Sequence, residues 1–340
     1  MTKFMNPIFA MHMADDLVSA PVGIFMLLVG ISLLIFSARK SAENFDSLNI
    51  PLMGVLGAFI FAGQMINFAI PLTGSSGHIS GGILLAAMLG AYPAFIVLSC
   101  VLIIQSLFFA DGGILALGCN IFNLAFFTCF IAYPLIFVPI IKRLNSNFGI
   151  FLASMLSCVV SLQLGAFCVV LETLCSGVSD LPFKTFVSLM QPIHLAIALV
   201  EGFLTSWVII LLKDSRPQLF ENIKNSGFLL PKRYALLFVC LATLVMGAGL
   251  SRIASENPDG LEWSISKTAG GEELSVGADA KIHKIAADIQ AKSSVLPDYS
   301  IPNSDSPAGT SLSGIVGAII CIVAIYIFAR LLKFARRKRA

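Results

Sequence analysis

The sequence predicts an all-α integral membrane protein: a seven-helix bundle, then two further transmembrane helices that flank a polar extracytoplasmic loop. Hydrophobic residues fill 57% of the 340 positions, charged residues fill only 12%, and the mean hydropathy is +0.90. Soluble domains carry roughly 25% charged residues. Apolar runs long enough to cross about 30 Å of hydrocarbon as a helix recur along the chain. Their polarity does not alternate from residue to residue, as it would in a membrane β-barrel.

Four apolar segments are predicted in the first third of the chain, at 17–38, 52–70, 81–91 and 92–109. The first lies between Asp15-Asp16 and Arg39-Lys40, which mark its two ends. The third and fourth segments are short and meet at Gly90 and Pro93. They can therefore be read either as two spans or as one bent or re-entrant unit.

Five more segments are predicted at 119–141, 148–172, 187–212, 234–251 and 312–333. A polar stretch at 214–233, with Pro217 and Pro231, separates the last two from the others. We therefore expect a transmembrane domain at 11–213, a cytoplasmic linker at 214–233 and a C-terminal module at 234–340. The polar segment 252–311 joins the two helices of that module.

Basic residues predict the orientation, because Lys and Arg next to spans stay in the cytoplasm. With nine spans all basic clusters fall on one side, so the N-terminus is predicted to be extracytoplasmic and the C-terminus cytoplasmic. The clusters are Arg39-Lys40, Lys142-Arg143, the 213–233 group and the tail from Lys333 to Arg339.

Several function classes are excluded by what the sequence lacks. No G-x-x-x-x-G-K-[ST] motif is present, so the chain has no P-loop for ATP. The net charge is only +3, with no basic stripe of interleaved aromatics, which argues against a nucleic-acid partner. No H-E-x-x-H motif supports an intramembrane metalloprotease. We therefore expect a protein that is not an enzyme.

Two of the four histidines occur in unusual surroundings. His12 lies in Met11-His12-Met13 just before the first span, and His78 ends the loop Gly74-Ser75-Ser76-Gly77-His78. By the predicted topology both imidazoles are on one side of the membrane. Imidazole suits Ni, Co, Cu and Zn, whereas Mg or Ca needs carboxylates. From spacing alone, exposed loop histidines remain an alternative.

These stretches resemble the CbiM/NikM family. The resemblance is carried by 11–15, by 53–68 (MGVLGAFIFAGQMINF), by the GSSGH loop at 74–78 and by 105–120 (QSLFFADGGILALGCN). It implies the substrate-binding component of a nickel or cobalt energy-coupling-factor ABC transporter in a bacterial inner membrane. The partners implied are an energy-coupling transmembrane subunit and two ATP-binding cassette ATPases. No cofactor is implied, and Ni²⁺ or Co²⁺ is the transported ligand.

The resemblance also implies a metal site made only of nitrogen. Met11 would supply its terminal amine, His12 its amide and imidazole nitrogens, and His78 a fourth donor. Fused chelate rings impose a tetragonal plane, which Ni(II) and Cu(II) prefer. Ten residues precede Met11 here, so we expect that translation starts at Met11, or that trimming frees its amine; otherwise one donor is missing.

Other polar residues within or beside the predicted spans are candidates for supporting the ligands. His194 and Glu201 lie seven residues apart on one helix face, and either support the site or form an interior structural pair. Asn67 and Ser76 near the histidine loop either orient imidazoles or join helices by polar contacts. Gln64, Asn120 and Asn123 offer the same two alternatives. Asp111 with Gly112-Gly113 is predicted to anchor a loop rather than to bind metal.

The C-terminal module contains Asn257-Pro258-Asp259-Gly260-Leu261-Glu262, which resembles the PDGLE domain found fused to, or encoded beside, such subunits. We expect its polar segment, including its acidic residues and His283, to be a solvated structural loop; contact of these residues with the metal is the alternative. The functional prediction is a metal-capturing transport component, and cobalamin biosynthesis is one use of the imported ion. A gradient-driven permease or channel without an ATPase is the alternative. The sequence leaves the choice between nickel and cobalt open.

Overall fold

The structure of the protein is a computed structural model. It describes residues 12–43, 50–178, 181–215, 233–255, 257–269, 280–302, 304, 306 and 308–337. Most of the predicted linker, residues 216–232, lies outside the described residues, as does Met11.

The described chain is mainly helical. We number the α-helices in chain order: α1 Ala20–Glu43, α2 Ile50–Gln64, α3 Gly82–Leu89, α4 Ala91–Phe109, α5 Leu117–Arg143, α6 Asn147–Ser176, α7 Phe183–Ser215, α8 Arg233–Ala248, α9 Gly260–Ala269, α10 Ala280–Ser293 and α11 Ala308–Arg337. Short 3-10 helices lie at Asp15–Leu17, Leu250–Ile253 and Pro297–Tyr299. Within α5, Phe122–Phe137 forms a π-helical stretch that contains Pro134.

Six helices in the described part are long and apolar enough to cross a membrane: α1, α4, α5, α6, α7 and α11. The apolar part of α2 covers Ile50–Gln64 and that of α8 covers Val239–Ala248. The prediction that 81–91 is a separate span is wrong, because α3 has only eight residues and is about 12 Å long. At Gly90, whose φ is 81°, α3 turns into α4, so the alternative of a bent unit describes this region better.

The predicted second span, 52–70, is also too long. The helix ends at Gln64, and Phe68–Ile70 forms strand β1, which pairs antiparallel with β2, Ser75–Gly77. The register pairs Phe68 with Gly77 and Ile70 with Ser75. Because the side chains of β1 include apolar ones, the hydrophobic run continues past the end of the helix. Composition alone therefore does not show where the helix ends. The hairpin leads directly to His78.

The C-terminal module packs against the bundle. Helix α11 lies along α2, and a Cβ added at Gly54 would be 3.4 Å from the carbonyl oxygen of Ile322. Helix α8 crosses α11 where Gly247 meets Gly314, with backbone against backbone. Gly54, Ala58 and Ala62 form a small-residue stripe, a pattern that packs helices together inside a protein or against a partner. At Gly54 the contact lies inside the protein.

The segment at His12, the loop at His78 and the polar segment of the C-terminal module meet at one end of the bundle. The basic residues Lys40, Lys142 and Lys213 lie in the last turns of α1, α5 and α7. Lys213 donates a hydrogen bond to Asn147 at the start of α6, 2.8 Å away. These basic residues and the two histidines therefore lie at opposite ends of the helices.

Candidate metal site

The segment that carries His12 is held by the turn after α4. The backbone N–H of Met13 donates to Asn120 Oδ1 at 2.9 Å, and Asn120 Nδ2 donates back to the Met13 carbonyl at 3.1 Å. The same carbonyl accepts the N–H of Gly113 at 3.0 Å. Asp15 accepts the N–H of Ala116 at 2.9 Å. These bonds fix the backbone on which the His12 ring is mounted.

Glycine is required where the two segments touch. Gly112 has a φ of 81°, in the left-handed region, and a Cβ there would lie 2.8 Å from His12 Cβ and 3.0 Å from Asn120 Nδ2. A side chain at this position is therefore both strained and obstructed. The Gly112-Gly113 pair lets the His12 segment approach the end of α4.

The loop that carries His78 is held from behind by a buried carboxylate. Glu201 on α7 accepts the N–H and the hydroxyl of Ser80, both at 2.7 Å, and the N–H of Gly81 at 3.0 Å. Gln64 donates to the Ser80 carbonyl at 2.9 Å and accepts from Gln105 at 2.8 Å. Glu201 is 2% exposed and Gln64 is fully buried. Because two of its three donors are backbone N–H groups of the loop, Glu201 fixes the backbone that follows His78.

The two imidazoles come together. The ring centroids of His12 and His78 lie 5.3 Å apart, with the ring planes tilted by 59°. Metal–nitrogen bonds of about 2 Å place the metal roughly 3 Å from each ring centroid, so two rings on one ion have centroids roughly 4.5–6.5 Å apart. The observed separation falls in that range. A pair of imidazoles from segments 66 residues apart in the chain thus has the spacing of ligands to one ion.

Each imidazole is backed by a carboxylate. His12 Nδ1 lies 3.0 Å from Asp111 Oδ1, and His78 Nδ1 lies 3.1 Å from Asp259 Oδ1. A carboxylate at Nδ1 favours the tautomer with the proton on that atom, which leaves the Nε2 lone pair for a metal. His12 Nε2 is buried and has no hydrogen-bond partner among the described residues. An unpartnered buried acceptor is costly and points to a ligand.

The carboxylates also shape the electrostatics. Burial raises the pKa of Asp111, but the charge and hydrogen bond of His12 and the hydroxyl of Tyr299 outweigh burial, so the net pKa is lowered. Burial lowers the pKa of His78, but the charge and hydrogen bond of Asp259 outweigh it, and the net pKa is raised. Asp111 therefore stays ionised, and its negative charge partly offsets that of a divalent cation.

A cavity of about 60 Å³ opens between the histidines and helices α5, α6 and α7. This volume exceeds the roughly 10–15 Å³ that one water molecule needs, so the cavity can hold an ion with part of its hydration. Its polar lining consists of His12, His78, Ser80, Asn120, Asn123, His194 and Asp259.

The described residues contain no group of three or more His, Cys, Asp or Glu side chains placed to hold a metal. A complete coordination sphere therefore needs donors besides these side chains, such as main-chain nitrogen or water. The chelate implied by the resemblance closes through His12 Nδ1, since Nε2 is too remote from the amide of its own residue. In this structure His12 Nδ1 contacts Asp111. The chelate therefore requires the imidazole ring of His12 to flip about its Cβ–Cγ bond.

The remaining predicted residues take different positions. His194 lines the cavity, and its Nδ1 donates to the Met190 carbonyl at 2.8 Å, one turn back on α7. His194 and Glu201 do not bond each other, so they are not a structural pair. Ser76 donates from its hydroxyl to the Asn257 carbonyl and from its N–H to the Pro258 carbonyl, each at 2.8 Å. The Asn67 carbonyl accepts the N–H of Ser255 at 2.8 Å, outside the cavity lining.

Three contacts from the C-terminal module were not predicted from the sequence. Asp259 was expected in a solvated loop, but it is 5% exposed and bonds His78. Tyr299 donates to Asp111 Oδ2 at 2.6 Å and so supports the residue behind His12. His283 was also expected to be solvated, yet it is 8% exposed and its Nε2 lies 2.8 Å from the Val18 carbonyl. The PDGLE motif itself was the only sequence signal for Asp259.

Comparisons with known proteins agree with this architecture. The family described as "cobalt uptake substrate-specific transmembrane region" matches residues 12–219, and the PDGLE domain matches residues 233–334. The fused nickel transport protein NikMN of Rhodobacter capsulatus is 25% identical over 96% of this chain and 99% of its own length. The cobalt transport protein CbiM of Desulforamulus reducens is 31% identical over 64% of this chain and 87% of its own. A crystal structure of a transition metal transporter is 28% identical, with a TM-score of 0.53, over 64% of this chain and all of that one.

Proposed function

The chain belongs to the CbiM family of cobalt-uptake transmembrane regions and carries a C-terminal PDGLE domain; from this premise we propose that it captures Ni²⁺ or Co²⁺ for import. It is a multi-pass membrane protein whose relatives are named nickel and cobalt transport proteins. The observation that carries the proposal is the His12–His78 pair, 5.3 Å apart beside a cavity, with a carboxylate at each Nδ1.

In the proposed site His12 and His78 bind the ion through imidazole nitrogen. Met11 supplies a third nitrogen if its amine is free. The amide of His12 completes a nitrogen plane if the imidazole ring of His12 flips about its Cβ–Cγ bond. Asp111 and Asp259 orient the rings, and Glu201 holds the His78 loop. His194 lines the same cavity, and because its Nδ1 donates to the Met190 carbonyl, its Nε2 can hydrogen-bond a water on the ion. Such ligand softness suits nickel and cobalt rather than magnesium or calcium.

We further propose that the bacterial inner membrane holds the protein with the site outward and that import is driven by an energy-coupling factor. A coupling transmembrane subunit and two ATP-binding cassette ATPases then reorient the bundle for release inside. This requires a lower affinity in the inward state, because equal affinities would shift no equilibrium. The chain itself has no P-loop, which supports a separate source of energy.

Uptake of radiolabelled nickel and cobalt in cells tests this proposal. Cells that express the chain with the coupling subunit and ATPases should accumulate the ion, and His12→Ala and His78→Ala should abolish accumulation. Inactivating the ATPases by a Walker-lysine substitution should abolish it equally. Accumulation that persists with inactive ATPases and collapses with the proton gradient would support the gradient-driven permease instead. Unchanged uptake in both histidine variants would reject the site.

A further inference from the structure

Helix α10 has three distinct faces. His283, Ala286 and Gln290 turn toward the protein. At 100° per residue, a second face carries Ile282, Ile285 and Ile289. These isoleucines are 40%, 50% and 50% exposed, and no described residue covers them.

The contacts of α10 place it across the ends of two membrane spans. His283 Nε2 lies 2.8 Å from the carbonyl oxygen of Val18, two residues before α1 begins. Gln290 donates to the Ser106 carbonyl in the last turn of α4, at 3.0 Å, and to the Gly112 carbonyl at 2.8 Å. A helix held at the ends of spans lies at the level where hydrocarbon meets the polar headgroups.

The surface below α10 is lipid-facing. Helix α1 exposes Ile24, Phe25 and Leu28 at 46%, 63% and 59%, one to three turns from Val18. This is the apolar face that a spanning helix presents to acyl chains. Helix α10 therefore lies at the end of a span that presents apolar side chains to the bilayer.

The third face of α10 is basic. On a wheel of 100° per residue with Ile282 at 0°, Lys281 and Lys292 lie at 260° and 280°, along one edge of the isoleucine face, and Lys284 lies beyond them. All three are exposed, and within the described residues none of them forms an ion pair. Asp288 lies on the same face, between Lys284 and Lys281 on the wheel, so the three lysines and this carboxylate give the face a net charge of +2. Isoleucines with lysines along one edge are the arrangement of helices that lie in a membrane interface.

We propose that α10 is a membrane-interface helix: Ile282, Ile285 and Ile289 enter the boundary of the outer leaflet, and Lys281 and Lys292 contact anionic phospholipid phosphates. Lysine stems reach from the apolar level to the headgroups. A protein partner fits less well, because three isoleucines fall far short of the ~800 Å² per partner that a standard interface buries. This inference is independent of the metal. It also places the bilayer in contact with the helix that carries Gln290, whose side chain donates a hydrogen bond to the turn beside His12.

Depth-dependent quenching on the full chain in lipid nanodiscs tests the proposal. An environment-sensitive fluorophore is attached at Ile285→Cys, or at Ala291→Cys as the matched control on the opposite, exposed face. Both variants carry Cys175→Ser, since Cys175 is the exposed cysteine of the described residues. The bilayers contain phosphatidylcholine and phosphatidylglycerol, with a spin label on one or the other near the headgroup.

The label at position 285 should show blue-shifted emission and quenching by spin-labelled lipid, and the label at 291 should show water-like emission. Spin-labelled phosphatidylglycerol should quench position 285 more than spin-labelled phosphatidylcholine. Lys281→Gln with Lys292→Gln should reduce that preference by about fivefold for each lysine removed at low salt.

Three results would overturn the proposal. Water-like emission at both positions would mean that α10 lies away from the bilayer. A blue shift at 285 without quenching by either lipid would mean that protein covers the isoleucine face, either another segment or a partner subunit. Equal quenching by the two lipids, unchanged in the lysine variant, would contradict the contact with anionic headgroups.

Discussion

At the scale of single residues, the site combines two kinds of group with different tasks. His12 and His78 present imidazole nitrogen, whereas Asp111 and Asp259 contact the opposite side of each ring. A metal-binding imidazole with a carboxylate behind it has a fixed orientation and a more basic free nitrogen. Loss of the carboxylate should therefore weaken metal binding without removing a ligand.

Asp111→Asn and Asp259→Asn test this division of tasks. Each substitution keeps the shape of the side chain but removes its charge, and we expect affinity for Ni²⁺ to fall by about 10- to 100-fold. Asp16→Asn is the control, since Asp16 is exposed in the same segment as His12. Titration calorimetry on purified protein measures the affinities. Affinities equal to that of the control variant would mean that the carboxylates do not support the ligands.

The unusual surroundings of His12 and His78 drew attention to them, and the resemblance to the CbiM/NikM family led to the prediction that they bind the metal. The sequence could not predict their carboxylate partners, because Asp111 is 99 residues from His12 and Asp259 is 181 residues from His78. Contacts over such separations depend on how helices pack, which residue spacing does not encode. Glu201 was singled out because a carboxylate in an apolar span is costly, but its bonds to Ser80 and Gly81 were not foreseeable.

At the scale of elements, the long spans were predictable and the short ones were not. Composition predicted α5 at 119–141 and α6 at 148–172, close to the observed Leu117–Arg143 and Asn147–Ser176. It failed at α3 and at the end of α2, because a short buried helix and a buried strand are as apolar as a span. Length, not hydropathy, distinguishes these cases.

The crossing of α8 and α11 depends on two glycines. A side chain at Gly314 would run into the backbone of Gly247, which cannot move aside as a flexible side chain can. We expect Gly314→Leu to reduce stability by about 1–3 kcal/mol or more. Ile319→Leu on the same helix is the control, since Ile319 is 56% exposed. Thermal unfolding followed with a thiol-reactive dye, which reads the buried cysteines, should separate the two variants; equal transition temperatures would contradict this account of the packing.

Helix α9 carries a carboxylate that should make stability depend on pH. Burial, together with the nearby charge of Asp259, raises the pKa of Glu262 to about 7. Glu262 Oε2 is buried without a hydrogen-bond partner among the described residues. The folded state therefore favours the protonated acid, and the stability that protonation provides is fully present below the ordinary value of 4.5. It is lost as the pH rises through about 7.

Glu262→Gln mimics the protonated acid. Its melting temperature should exceed that of the natural protein at pH 8, and the difference should shrink toward pH 5. A difference that stays constant across this range would show that ionisation of Glu262 carries no cost.

At the scale of the whole molecule, the C-terminal module contributes side chains to the candidate site and is not a separate attachment. Asp259 and Tyr299 come from this module, and each supports one side of the histidine pair. Helix α11 packs along α2, which leads into the hairpin before His78. A fused chain keeps these contacts at a fixed stoichiometry, which is the advantage of covalent linkage over a dissociable subunit.

The central claim is that His12 and His78 bind one ion together. X-ray absorption spectroscopy of the nickel-loaded protein counts the imidazoles on the metal most directly. The account predicts two imidazoles in the natural protein and one fewer in His12→Ala and in His78→Ala, each loaded at saturating nickel. An imidazole count that neither substitution changes would contradict the account.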